Sequence, residues 1–202
     1  MQKKEFLDNL EKYARENWVP VILRESLDLI KVILSVLKPK SILEVGTAIG
    51  YSSSHFADFL AEDGYIDTLE ISEEAIKMAK ANIEELGLQD KINIIQGDAT
   101  ESIKSLYENN KKYDFIFIDG PKSKYIEHFD YALKMLNDDG VIIVDNVEYK
   151  GMVSGETELA PRKKTLVRNL RTFLNKVSEH ENINYSLLPK VGDGLLLVTK
   201  KV

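Results

Sequence analysis

The sequence of 202 residues contains no cysteine and only three histidines. The first absence excludes disulfides, thiolate metal centres and cysteine nucleophiles. The second leaves His55, His128 and His180, which lack metal-ligand spacing, as structural or surface groups. No apolar run is long enough to cross a bilayer. The strongest one near the start, "VILSVL" at 32–37, falls far short of the roughly 20 residues a transmembrane helix needs. Positive charge is also short: the formal net charge is −6, so the chain as a whole is no polycation that coats nucleic acid or membrane, and a polyanion partner would need a local basic patch. The opening "MQKKEFLDNLEKYA" is amphipathic and charged throughout, unlike a secretory leader. A cytoplasmic protein without membrane association is expected.

Hydrophobic residues make up 44% of the chain, enough for a sizeable core, and the length favours one domain over 1–202. Residues 1–38 read as a helical extension, with Phe6, Leu10, Tyr13 and Ala14 on one face and Leu23, Leu27, Ile30 and Leu34 repeating after Pro20. After Pro39 the period changes. Strands are expected at 41–46, 65–70, 91–96, 113–119 and 140–145, and helices between them at 51–62, 72–86, 100–109 and 121–136. Ser72 is the expected N-cap of the second of these helices and Gly87 its stop. The segment 146–161 is long for a loop in a compact domain and reads as a lid or binding loop. A basic helix at 162–178 follows, then strands near 183–188 and 195–200 joined by "PKVGDG", a turn too short for anything but an antiparallel pair. Alternating strands and helices closed by such a pair spell a Rossmann-like, doubly wound α/β sheet with two extra N-terminal helices.

In sheets of this kind ligands bind beyond the carboxyl ends of the strands. The residues expected there are Glu44 to Gly46, Glu70, Gly97-Asp98, Asp119 and Asp145-Asn146, almost all acidic or glycine. "SILEVGTAIGYSSS" (41–54) has G-x-x-x-G where a dinucleotide fingerprint has G-x-G-x-x-G, and carries three serines but no lysine. That suits one small anionic group at a helix start better than a chain of phosphates, although a plain strand-to-helix turn capped by serine would look the same. Glu70 closes the second strand, where an acid can accept from both ribose hydroxyls of an adenosine; a solvated strand-end charge is the alternative. Asp98, in "QGDAT", sits where an adenine edge would lie or caps the next helix.

Asp119, Asp145 and Asn146 end two strands and supply only oxygen donors, chemistry suited to a hard cation, Mg²⁺ above all. Lys122 follows Asp119 closely enough to share its space and serve as a base, or else is a surface charge in the first turn of a helix. "GYSSS" imitates part of a serine-hydrolase elbow, but Ser54 replaces its last glycine and no triad is evident.

"ILEVGTAIGYSS", "TLEIS", "QGDA", "FIDGPK", "DNV" and "LPKVGDGLLL" together resemble the class I S-adenosylmethionine-dependent O-methyltransferases of the catechol and caffeoyl-CoA type, over about residues 20–200. The resemblance implies a seven-stranded sheet with the last strand antiparallel. It puts the methionine part of S-adenosyl-L-methionine on the Gly46 loop and Ser52, the ribose on Glu70, and the adenine beside Asp98 and Ala99. Glu44, Thr47, Tyr51 and Asp119 complete the cofactor set it implies. Asp119, Asp145 and Asn146 would hold Mg²⁺ or another hard divalent cation, Lys122 would be the base with Asp119 beside it, and a homodimer is implied, with the N-terminal helices as candidates for its interface. Gly120-Pro121, where plant and animal relatives often carry bulkier residues, looks like a bacterial subgroup.

"PRKKTLVRNLRTFLNK" (161–176) adds a basic stripe of Arg162, Lys163, Lys164, Arg168, Arg171 and Lys176 with no acid. A solvated outer face would read alike, but the stripe also suits a phosphate backbone. It is similar to bacterial members that methylate 5-hydroxyuridine at the wobble position of tRNA. That acceptor is the expectation, with Arg162, Lys163, Lys164, Arg168 and Arg171 as RNA contacts. A small catechol-like metabolite is the alternative, and a nucleoside-binding module without catalysis or a serine hydrolase are distant ones.

Overall fold

The computed structural model describes residues 3–201. The chain divides into two compact units, one up to Ala99 and one from Thr100.

The first unit opens with helices α1 (Lys3–Glu16) and α2 (Arg24–Leu37). The buried face of α1 is Leu7, Leu10, Glu11 and Ala14, turned from the expected one, so that Tyr13 is 42% exposed. The turn comes from Glu11. Its carboxylate lies inside and accepts from Arg15 at 2.6 Å and from Arg24 of α2 at 2.5 Å. Burial pushes this carboxyl up, but the hydrogen bonds from Arg15 and Arg24 outweigh it and hold it below its ordinary value. Strand β1 (Ser41–Val45) is buried throughout. It pairs in parallel with β2 (Tyr65–Glu70), which pairs in parallel with β3 (Ile92–Gln96). Between them stand α3 (Tyr51–Phe56), which passes into a 3-10 turn at Ala57–Phe59 and ends earlier than expected, and α4 (Glu73–Glu85). Ser72 caps α4 as predicted, its Oγ accepting the Ala75 N–H at 3.3 Å.

The second unit holds α5 (from its second residue; Ala99–Glu108), β4 (Tyr113–Ile118), α6 (Tyr125–Met135), β5 (Leu136–Val144), α7 (Lys164–Ser178), β6 (Ile183–Leu188) and β7 (Leu195–Lys200). The predicted helix from Pro121 begins instead as a 3-10 turn, Lys122–Lys124. It ends at Met135, where β5 starts at once and runs longer than expected. β4 and β5 are parallel, whereas β7 is antiparallel to both β5 and β6. The seven strands run in the order β3-β2-β1-β4-β5-β7-β6, which is the mixed α/β sheet the alternation predicted. Among the described residues no helix is long and apolar enough to cross a membrane.

α7 is anchored by an apolar stripe of Val167, Leu170, Phe173 and Val177, all buried. Phe173 meets the rings of Tyr125 and Phe129 edge-on at 5.7 and 5.5 Å. Phe173→Ala should therefore destabilise the protein by about 3–5 kcal/mol, read as a lowered urea midpoint at unchanged slope. A loss below 1 kcal/mol would mean that α7 is not held by this cluster.

Candidate active site

In the first unit the turn after β1 is a buried polar network. Glu44 is fully buried; it accepts from the Ser52 hydroxyl and, at 2.5 Å, from Thr68. Thr68 having given its proton to Glu44, Thr47 is the donor across the 2.7 Å that separates their hydroxyls. Ser54 donates to the Gly50 carbonyl at 2.6 Å. These serines were expected to offer hydroxyls to an anionic ligand. Two of them instead satisfy groups of the turn itself, because a buried hydroxyl or carboxylate is costly unless it is hydrogen-bonded.

Tyr51 likewise turns its side chain to Glu11, with its ring edge-on to His55 at 4.8 Å. Burial, then the Glu11 charge, pushes its hydroxyl up to about 12. Besides these side chains the turn bares backbone. Gly46 (φ 107), Ala48 (φ 45) and Gly50 (φ 77) stand in left-handed conformations that bare it. Glu70 braces it by accepting the Ala48 N–H at 2.9 Å, while its other oxygen takes the N–H groups of Ile71 and Ser72. A carboxylate offers about four acceptor sites, so Glu70 retains capacity for a hydroxyl. Asp98 is exposed just ahead of α5, and Ala99 is that helix's first residue.

In the second unit the parallel register Ile118↔Val144 sets Asp119 and Asp145 side by side at the ends of β4 and β5, with the Asp145 N–H on the Ile118 carbonyl at 3.0 Å. Lys122 joins them as predicted: its Nζ donates to Asp119 Oδ1 at 3.1 Å and to the Tyr125 hydroxyl at 2.8 Å. Tyr125 in turn donates to the Asp145 carbonyl at 2.7 Å. Sequence reasoning missed Tyr125, which is joined to this site by the 3-10 turn at Lys122–Lys124, a feature the sequence pattern did not announce. Burial first, then the charges of Asp119 and Asp145, push its hydroxyl well up, so it remains a donor. Asn146 follows at φ 60, a conformation Asn tolerates better than most residues.

Asp145 is the exceptional group. It is 1% exposed. One oxygen accepts the Asn146 N–H at 2.7 Å, whereas Oδ2 is buried with no hydrogen-bond partner. Burial, then the charge of Asp119, push its carboxyl up to about 7. Two carboxylates and an amide, all oxygen donors, with one oxygen orphaned and the pair repelling, fit a hard divalent cation. Among the described residues no group of three or more His, Cys, Asp or Glu gathers in a metal-binding array; the candidate set reaches three donors only by counting the Asn146 amide. The histidines lie elsewhere. His128 pairs with Thr100 at 3.1 Å and His180 accepts the Asn182 N–H at 3.3 Å.

The expected RNA contacts divide. Arg162, Lys164 and Arg168 are exposed. Lys163 lies over the Tyr149 ring at 5.2 Å. Arg171 is spent on the loop after β5, donating to the carbonyls of Val153 at 3.0 Å and Met152 at 3.3 Å.

The raised Asp145 carboxyl has a consequence for stability. Its folded value of about 7 exceeds the ordinary 3.8, so the folded protein holds a proton that the unfolded chain releases. That stabilisation is complete below about pH 4 and is lost as pH rises toward 7, by on the order of 4 kcal/mol in the limit. In chelator, Tm should fall between pH 5 and 8 by more in the wild type than in Asp145→Asn. Mg²⁺ at pH 8 should restore it in the wild type alone. Parallel Tm curves for the two proteins would refute the assignment.

The O-methyltransferase family profile matches residues 1–201. A catechol O-methyltransferase of Niastella koreensis is 30% identical over 85% of this chain and 78% of its own. A Staphylococcus aureus crystal structure, assigned by name to the caffeoyl-CoA O-methyltransferases, is 33% identical with a TM-score of 0.87, covering 96% of this chain and 92% of its own. An O-methyltransferase of Bacillus cereus, crystallised with S-adenosylhomocysteine, is 29% identical with a TM-score of 0.85, covering 100% and 93%. The chain belongs to the O-methyltransferase family, among its S-adenosylmethionine-dependent enzymes of the caffeoyl-CoA and catechol type.

Proposed function

We propose that this chain transfers the methyl group of S-adenosylmethionine to one of two adjacent oxygens of its acceptor, with a divalent cation held by Asp119, Asp145 and Asn146. The orphaned, buried Oδ2 of Asp145 beside Asp119 carries the reading. A cation there would supply the positive charge that lowers the acceptor hydroxyl's pKa. Lys122 is the group we assign to receive the proton. Asp119 and the Tyr125 hydroxyl fix its Nζ from two directions, so its position does not depend on a flexible side chain finding its place. In the first unit, Glu70 would use its remaining acceptor capacity on a ribose hydroxyl, and the bared backbone from Gly46 to Gly50 would face the methionine part. Asp98 and Ala99 would lie beside the adenine.

An oxygen pair of this kind occurs in 5-hydroxyuridine with its neighbouring 4-oxygen, and in small catechols. The exposed Arg162, Lys164 and Arg168 support the tRNA wobble base as acceptor, since a phosphate backbone needs cations that are free to meet it. The name of the Niastella koreensis relative supports a small catechol-like acceptor equally. Exposed Trp18, Val32 and Val36 at the N-terminal helices support a homodimer formed there.

Three measurements test the reading. Glu70→Ala should weaken S-adenosylhomocysteine binding at least tenfold by calorimetry; unchanged affinity removes the ribose assignment. Chelation or Asp145→Ala should abolish methyl transfer, and metal-independent turnover would sink the cation. Bulk tRNA lacking the modification and catechol should be offered side by side. Transfer to tRNA that drops on Arg162→Ala/Arg168→Ala selects the first acceptor, and transfer to catechol alone selects the second.

A further inference from the structure

The segment that follows β5 is held in an improbable shape. Asn146 (φ 60), Tyr149 (φ 45) and Lys150 (φ 59) are left-handed without being glycine, and Gly151 (φ 73) comes next. Side chains with a Cβ disfavour this region, and such a run persists only where its surroundings over-determine it.

Two clamps do so. On one side is the turn before β7. The Val147 N–H meets the Gly194 carbonyl and the Glu148 N–H meets the Asp193 carbonyl, each at 3.0 Å, while the Lys150 N–H meets Asp193 Oδ1 at 2.7 Å. The approach is so close that a Cβ at Gly194, itself at φ 89, would stand 2.7 Å from Glu148 Cβ. On the other side is α7, whose Arg171 takes the Val153 and Met152 carbonyls. Between the clamps, buried Glu148 accepts the Ser154 N–H at 3.0 Å through its carboxylate and the Val153 N–H at 3.2 Å through its carbonyl.

We propose that Arg171 and Asp193 are positioning residues: by clamping residues 147–153 they fix Asn146 beside Asp145 and set the affinity of the cation site, leaving cofactor affinity alone. The inference rests on the assignment of Asp119, Asp145 and Asn146 to a divalent cation. Partners that orient ligands without touching the metal typically change its affinity 10–100-fold when removed.

The test measures Mn²⁺ binding by electron paramagnetic resonance and S-adenosylhomocysteine binding by calorimetry. The proteins compared are the wild type, Arg171→Gln, Arg171→Lys, Asp193→Ala and Asp145→Ala, with tryptic cleavage after Lys150 mapped by mass spectrometry. Arg171→Gln and Asp193→Ala should weaken Mn²⁺ roughly tenfold and speed cleavage after Lys150, with S-adenosylhomocysteine affinity within about twofold of wild type. Arg171→Lys, which can still reach one carbonyl, should recover part of the loss. Asp145→Ala should abolish Mn²⁺ binding without speeding the cleavage. Wild-type Mn²⁺ affinity in Arg171→Gln and Asp193→Ala overturns the positioning role, and so does an equal loss of S-adenosylhomocysteine affinity. A wild-type protein that binds no Mn²⁺ removes the cation assignment itself, and this inference with it.

Discussion

A carboxylate buried against a second carboxylate is the constraint around which the second unit is arranged. Taken out of water, Asp145 has three ways to lower its energy: hold a proton, meet a cation, or fill its lone pairs with donors. Asn146 meets this carboxylate through its N–H on Oδ1, and Oδ2 is left unmatched. The nearest cationic side chain, Lys122, goes to Asp119 and Tyr125 instead. Tyr125 meets the carbonyl of Asp145, not its carboxylate. One positive charge thus faces two negative ones, and the deficit lies at the strand ends. The same tyrosine carries this arrangement into the core, since its ring packs against Phe173 of α7. Site and scaffold share an aromatic cluster.

The first unit shows what a buried acid looks like when neighbouring hydroxyls meet its lone pairs. Glu44 is as deeply buried as Asp145, yet the Ser52 and Thr68 hydroxyls satisfy it, with Thr47 behind Thr68. Glu70 lies between the two cases. It is half-buried and braces Ala48, Ile71 and Ser72, and still has room to accept. Burial alone therefore does not set these acids apart; the balance between lone pairs and donors does.

Much of this was legible in the sequence. "SILEV", "FIFI" and "VIIV" could be read as buried strands because their short length, β-branched and aromatic content and flanking turn signals separate them from buried helix segments, and the strand-end positions of Asp119, Asp145 and Asn146 followed from them. Lys122 was found for the same reason. What stayed hidden depends on where side chains go once elements pack. The helical period of α1 put Tyr13 inside, but Arg15 and Arg24 make a buried Glu11 tolerable and rotate the face. Three serines in a row announce a polar need without saying whose. α6 lost its first turn to a 3-10 segment, and that turn joins Lys122 to Tyr125.

The basic helix shows the same limit from the opposite side. Its charges read as one stripe, but packing divides them. Lys176 pairs with Asp130 at 2.5 Å, Arg171 holds the loop after β5, and Lys163 sits on the Tyr149 ring. Arg162, Lys164 and Arg168 remain exposed. Each phosphate neutralised contributes a slope of about 0.7–0.9 in log affinity against log salt, so three free cations give a dependence of only about 2–3. A polyanion met through this face alone would be oriented rather than held. Tight binding of such an acceptor would have to come from contacts beyond this face, which returns the question of acceptor to the strand ends that carry Asp119, Asp145 and Asn146.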